Sequence, residues 1–153
     1  MEHIYRMAYK LKGMNMKRLA TIVACCLVAV TTALAFEPFR FAVVTDIHIA
    51  AGSPQPTEDL RQSVAQINND STIDFVLVTG DIADAGDGAA LRIAKRELDK
   101  LVKPWYILEG NHDQNWSESG CMDFLKIFGY ERFTFEHKGI RFIGIPTGPM
   151  MRM

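Results

Sequence analysis

Cysteine is scarce in this chain. It has three cysteines in 153 residues, and Cys25 and Cys26 lie together in an apolar segment near the N-terminus. Cys121 is the single cysteine of the remainder, which therefore forms no internal disulfide and has no cysteine-based zinc site. The fold must depend on a hydrophobic core, or on metal held by other side chains.

A basic excess is also missing from most of the chain. Residues 1–35 hold five of the 17 Lys and Arg residues and one of the 18 Asp and Glu residues. Residues 36–153 are left with 12 basic and 17 acidic side chains, a net charge of −5. A nucleic-acid-binding domain needs a basic face. The composition therefore gives no reason to expect a nucleic acid as a partner.

Charged residues are absent from Leu19 to Phe36, directly after Lys17-Arg18. A basic start, an apolar stretch and the small-residue motif Ala33-Leu34-Ala35 are the parts of a secretory signal peptide. We expect residues 1–35 to be that peptide, with a possible start at Met16. The body, residues 36–153, is then exported to the periplasm or the cell exterior.

Two alternatives for this segment stay open. The apolar run is just long enough for a membrane anchor, although its Ala and Thr residues make it a weak one. Ile22-Val23-Ala24-Cys25 resembles a lipoprotein cleavage site, but only about five apolar residues precede Cys25, fewer than the roughly 7–15 that are usual. Contact with a membrane is expected only through such an uncleaved or lipidated N-terminus.

Three apolar runs in the body predict strands buried in a parallel sheet: Phe39–Thr45, Phe75–Thr79 and Trp105–Leu108. Two helices are predicted between them, one capped by Thr57 and one by Asp87. Their apolar stripes are Leu60, Val64 and Ile67, then Leu91, Ala94, Leu98 and Leu101. A third helix over about 119–128 and a hairpin turning at 137–139 follow. Alternating strands and helices predict an α/β fold with right-handed crossovers.

Polar clusters follow all three strands. They are Asp46-x-His48, Gly80-Asp81-x-x-Asp84 and Gly110-Asn111-His112-Asp113. The separations of 35 residues from Asp46 to Asp81 and 30 from Asp81 to Asn111 each fit one βαβ unit. The clusters should therefore meet at the carboxyl edge of the sheet, where ligands of such sheets bind. One such motif alone is more often a turn or a cap, but three in order indicate a site.

Carboxylate, amide and imidazole groups without thiolates suit Mn, Fe or Zn. Asp46 and His48 lie two residues apart in an extended segment, so both side chains point to one side and can share an ion. Asp81 and Asn111 arrive from the next two strands. Two ions about 3.5–4 Å apart can hold both oxygens of an in-line displacement at phosphorus.

The three motifs resemble the first three motifs of the calcineurin-like metallophosphoesterases, over about residues 39–113. The resemblance implies an α/β sandwich, of which this chain holds the first sheet with its flanking helices. It also implies hydrolysis of phosphate mono- or diesters by two divalent transition-metal ions. Asp46 and His48 would bind the first ion, Asp81 would bridge both, and Asn111 would bind the second.

Two further roles follow from the resemblance. His112 stabilises the transition state or protonates the leaving group, and Asp84 orients His112. Ala85-Gly86 follows Asp84 where the protein Ser/Thr phosphatases of the family have an arginine, which argues against that branch. A nucleophilic-aspartate phosphatase of the haloacid-dehalogenase type is also disfavoured, because it needs an aspartate at the position of His48.

The histidines of the family's later motifs have no counterpart here. His137 is the only histidine after His112, and we expect it to be a solvated residue of the hairpin turn. Residues 36–153 are therefore expected to be a metallophosphoesterase domain truncated at its C-terminus, with uncertain activity. Without a second sheet, Phe133, Phe135 and Phe142 should be exposed and promote association. The alternative function is a non-catalytic exported fragment that binds a metal or phosphate.

The signal peptide gives the first testable prediction. We expect the mature protein to begin at Phe36, because cleavage follows the Ala33-Leu34-Ala35 motif. N-terminal sequencing of the exported protein measures this directly. A start at a lipidated Cys25, or an uncut chain in the membrane fraction, would contradict it.

Overall fold

The chain divides into two units, Met1–Glu37 and Pro38–Met153. The computed structural model describes residues 15–33, 37–50, 52–115 and 122–147. In the first unit it contains helix α1, Met16–Ala33. Within the described residues, no helix has both the length and the apolar character needed to cross a membrane. The predicted cleavage site after Ala35 lies outside the described residues.

Three parallel strands form the central sheet of the second unit, in the order β1-β2-β3. They are β1 (Phe41–Val44), β2 (Phe75–Thr79) and β3 (Trp105–Leu108). Val44 pairs with Val78, and Thr79 pairs with Leu108. The strands therefore end level with one another. The predicted α/β fold with a parallel sheet is confirmed, and the segments after the strands leave from one edge.

Helices cover one face of this sheet. They are α2 (Gln55–Asn69), α3 (Gly88–Leu98) and α5 (Met122–Phe128), and the short α4 (Asn111–Asn115) follows β3. The predicted apolar stripes are buried against Val76, Val78 and Ile107 of the sheet. Burial of these side chains, at roughly 1.5–3 kcal/mol for each large one, is the main source of stability.

Residues at the helix N-termini determine where the helices begin. The carboxylate of Asp87 accepts a hydrogen bond from the Ala90 amide, as predicted for a cap. Helix α2 instead begins at Gln55, two residues before the predicted Thr57 cap. Pro54 and Pro56 stand at that start, where a missing N–H breaks no helical hydrogen bond. The predicted start of α5 near residue 119 lies outside the described residues.

A hairpin covers part of the other face of the sheet. It consists of β4 (Phe133–His137) and β5 (Ile140–Gly144). Phe135 stacks on Tyr106 with ring centroids 3.8 Å apart, and Phe142 meets Phe75 edge-on at 5.0 Å. Such aromatic pairs add about 0.5–1.5 kcal/mol each beyond the area they bury. The hairpin is thus a second layer over the sheet.

The expected exposure of the hairpin phenylalanines is wrong. Phe133, Phe135 and Phe142 are all partly buried, because the hairpin turns these side chains toward the parallel sheet. The exposed apolar residues here are Phe41 and Val43 of the edge strand β1, at 42% and 55%, and Ile143 and Ile145 in and after β5, at 67% and 65%.

His137 is not the solvated turn residue that the sequence predicts. Its ring lies edge-on to Phe39 and Phe75, with centroids 5.2 Å away in both cases. Its Nε2 is 3.5 Å from Oδ1 of Asp74, the residue before β2. Lys138 donates a hydrogen bond to the Pro38 carbonyl. The hairpin tip is therefore tied to the amino edge of the sheet, opposite the polar clusters.

An ion-pair cluster joins α2 to α3. The buried Glu97 carboxylate accepts hydrogen bonds from Arg61, at 3.2 Å from Nε and 3.4 Å from Nη2, and from Lys100 Nζ. The hydrogen bonds from Arg61 and then Lys100 hold the pKa of Glu97 below its ordinary value, against the effect of burial. The folded state therefore favours the charged carboxylate.

This cluster predicts a pH-dependent loss of stability. Because its pKa is lower in the folded than in the unfolded state, Glu97 stabilises the fold above an unfolded pKa of about 4.3. That contribution disappears as the pH falls through the folded value. We expect Glu97→Gln to lower the free energy of unfolding at pH 7 by about 1–3 kcal/mol, and by less at pH 3.

Urea unfolding at both pH values measures the effect. Glu58→Gln is the matched control, since Glu58 pairs with the same arginine but is exposed, and surface pairs contribute little. Equal losses in the two variants would contradict the prediction.

Candidate metal centre

The segments after β1 and β2 run side by side and carry three of the predicted ligands. The Asp46 amide donates to the Gly80 carbonyl at 3.2 Å, and the His48 amide donates to the Asp81 carbonyl at 3.0 Å. Asp46, His48 and Asp81 have φ values of 54°, 50° and 50°. L-residues rarely adopt this region, at a cost of order 1–3 kcal/mol each, and such residues cluster at functional sites.

These three side chains form one candidate metal-binding group. One ligand atom from each of Asp46, His48 and Asp81 lies within 4.8 Å of the others. His48 Nε2 is 4.0 Å from Asp46 Oδ1. Carboxylate and imidazole ligands at this spacing fit a divalent transition metal. The Asp46 side chain is 63% exposed, so the group opens to solvent, as a substrate site must.

Asn111, the fourth predicted ligand, is the first residue of α4 at the same edge of the sheet. The sequence did not predict this short helix. Gly110, just before it, lies against the second cluster: a Cβ there would be 2.1 Å from Asp81 Oδ1 and 2.3 Å from the Asp81 amide nitrogen. A Cβ on Gly80 would be 2.8 Å from Gly110 Cα. Both positions need glycine because the two loops touch.

His112 is held by both neighbouring loops. Its amide donates to Asp81 Oδ1 at 3.0 Å, and its ring Nδ1 is 2.7 Å from the Asp84 carbonyl oxygen. That hydrogen bond is the main cause of a raised pKa for His112, and the nearby carboxylates of Asp81 and Asp84 act in the same direction. The shift is in the direction that suits a proton donor.

Asp84 contacts His112 differently from the predicted orienting carboxylate. Its main-chain carbonyl contacts the His112 ring, and its carboxylate Oδ1 lies 3.4 Å from Nδ1 of His48. This is an ion-pair distance and not a hydrogen bond, since His48 Nδ1 is buried without a hydrogen-bond partner among the described residues. A carboxylate beside the second nitrogen of a metal-binding histidine is the kind of group that orients such a ring. The ligand atoms of His48, Asp84 and His112 form a second group within 4.8 Å.

Asp113 is a site residue to which the sequence assigned no role. It is 1% exposed, and its carboxylate accepts hydrogen bonds from the amides of Ile82, Ala83 and Gly110 at 2.8–3.1 Å. Burial raises the pKa of Asp113, and these hydrogen bonds oppose the rise. Its place in the third motif was a signal, but its partners are backbone amides, which a sequence pattern does not reveal.

Comparison with known proteins identifies the family of this chain. The calcineurin-like phosphoesterase family model matches residues 39–149, most of the chain. The chain therefore belongs to the calcineurin-like phosphoesterases, as its motifs predict. This family membership makes it a hydrolase by family and implies divalent metal ions.

Two curated relatives are similar in sequence to part of the chain. A probable cyclic nucleotide phosphodiesterase of Rhodopseudomonas palustris is 37% identical over 81 residues, which are 49% of this chain and 30% of that protein. A probable cyclic nucleotide phosphodiesterase of Xenorhabdus bovienii is 30% identical over 81 residues, 47% of this chain and 33% of that protein. The matched part thus spans about a third of each relative.

Proposed function

We propose that this protein is an exported phosphodiesterase that works with two divalent transition-metal ions, Mn, Fe or Zn. The observation that carries the proposal is the grouping of Asp46, His48 and Asp81 within 4.8 Å at the carboxyl edge of the sheet. His112 lies beside them, with its ring 4.7 Å from that of His48. The names of the two relatives support a diester, with a cyclic nucleotide as the first candidate substrate.

The ligands divide between the ions as the motifs imply. Asp46 and His48 would hold the first ion, Asp81 would bridge both, and Asn111 would hold the second. When bound, the ions lower the pKa of a water and stabilise charge on the phosphoryl oxygens. The carboxylate of Asp84 faces Nδ1 of His48 and leaves Nε2 on the side of Asp46, so Nε2 would be the nitrogen available to the first ion.

His112 supplies the proton for the leaving group. Its Nδ1–H donates to the Asp84 carbonyl, which fixes the plane of the ring. Nε2 of the protonated ring then delivers its proton to the departing oxygen. The raised pKa increases the protonated fraction near neutral pH. A positioned acid of this kind contributes roughly 10²–10⁴-fold to the rate.

The ligand count favours a second candidate function. Among the described residues, the assigned ligands are four side chains for two ions, and His137 is bound to the opposite edge of the sheet. Four ligands leave two ions under-coordinated, which supports a non-catalytic exported domain that binds a metal or phosphate.

Metal content and turnover separate these two functions. We expect the purified chain to bind Mn²⁺ and to hydrolyse bis(4-nitrophenyl) phosphate slowly, because the four assigned ligands leave two ions under-coordinated. EDTA and Asp81→Asn should each abolish this turnover, since a neutral amide cannot balance two cations. Metal binding with no turnover above the Asp81→Asn level would favour the non-catalytic candidate. A chain that binds neither Mn²⁺ nor inorganic phosphate would contradict both.

The role of His112 is tested by His112→Ala. We expect turnover to fall by about 10²–10⁴-fold while Mn²⁺ binding, measured by titration calorimetry, stays nearly unchanged. The loss should be smaller for a nitrophenyl ester than for cyclic AMP, because nitrophenolate needs less help to leave. His137→Ala is the matched control, since His137 lies at the opposite edge, and it should leave turnover unchanged. Loss of metal from His112→Ala would show that the assigned role is wrong.

A further inference from the structure

We propose that Asp113 is a positioning residue. It holds the loop after β2, which carries Asp81, against the loop after β3, which carries Asn111, and thereby sets the positions of both metal ions. The proposal rests on the two-ion centre described above. The carboxylate of Asp113 is occupied by backbone amides, and Asp113 is only 1% exposed.

The contacts of Asp113 reach both loops at once. Oδ1 accepts from the amides of Ile82 at 3.0 Å and Ala83 at 2.8 Å, directly after Asp81. Oδ2 accepts from the Gly110 amide at 2.8 Å, directly before Asn111, and again from Ile82 at 3.1 Å. One rigid carboxylate therefore joins the residue after the bridging ligand to the residue before the fourth ligand.

Only a carboxylate satisfies this arrangement. Both oxygens of Asp113 act as acceptors, and every partner is an N–H donor. Asparagine has the same shape but presents one NH₂ group, which would face a backbone N–H in place of an acceptor. Depending on which way the NH₂ group turns, the amide left without an acceptor is that of Gly110 or that of the fully buried Ala83, and an unsatisfied buried donor is destabilising. The loops must then move apart.

Such a movement would displace the metal ligands, because the two loops are in close contact. Gly110 lies so close to Asp81 that even a Cβ has no room. The His112 amide also donates to Asp81 Oδ1, so a shift of the loop after β3 would displace the carboxylate that is proposed to bridge the ions. Residues that orient metal ligands in this indirect way typically change metal affinity by 10–100-fold when they are replaced.

The test compares Asp113→Asn with a control of similar stability loss. In the full chain, we expect Asp113→Asn to weaken Mn²⁺ binding by 10–100-fold in titration calorimetry. We also expect it to alter the visible absorption spectrum of bound Co²⁺. Val64→Ala truncates a buried side chain of α2 and should lower the melting temperature while leaving the affinity and the spectrum unchanged. A purely structural role for Asp113 would make the two variants alike.

The outcomes are distinct. If the wild-type chain binds Mn²⁺ and Asp113→Asn binds it equally well, the positioning role is overturned and the proposed function stands. If the wild-type chain binds no metal, the proposed function fails, and this inference fails with it.

Should Asp113→Asn not fold, hydrogen exchange in the wild-type chain decides. Binding of Zn²⁺ should slow the exchange of the Ile82, Ala83 and Gly110 amides together, because the metal and Asp113 hold the same two loops. Exchange rates at these three amides that do not respond to Zn²⁺ would overturn the proposal.

Discussion

The contact between the loops that follow β2 and β3 is the constraint on which the site depends. Thr79 and Leu108 are paired at the ends of their strands, so the chain leaves the sheet at two neighbouring points. Neighbouring strands lie only about 4.8 Å apart, which leaves no space for side chains between the loops. Gly80 and Gly110 have no Cβ, so the two loops can pass this close to each other. The short side chains of Asp81 and Asn111 can then serve one centre.

The strained backbone at the ligands is supported by the core immediately beneath it. Asp46, His48 and Asp81 all have positive φ, yet Ile49 and Ile82, each next to a ligand, are fully buried. The Ile49 amide also donates to the Ile82 carbonyl at 2.9 Å, so the two loops continue the pairing of the strands. Packing and hydrogen bonds thus oppose relaxation of the backbone, and the ligand side chains remain on the solvent side.

The sequence was sufficient for the parallel sheet, its helical stripes and the order of the polar clusters, because these follow from the periodicity of apolar residues. It was not sufficient for contacts made by the main chain. The acceptor of His112 is the Asp84 carbonyl, and the partners of Asp113 are amides, so residue types gave no information about either. His137 was misjudged because the phenylalanines that bury it are distant in sequence.

Asp84 shows why the sequence predicts contacts made by side chains better than contacts made by the main chain. Its carboxylate faces His48, a predicted ligand, while its carbonyl contacts His112, the predicted acid. Only the first contact depends on the residue being aspartate. The second depends on the path of the loop, which Gly86 permits by its positive φ and its close approach to the Asp113 carbonyl. One residue therefore contacts both a predicted metal ligand and the predicted proton donor through two separate groups, and its side chain accounts only for the contact with the predicted ligand.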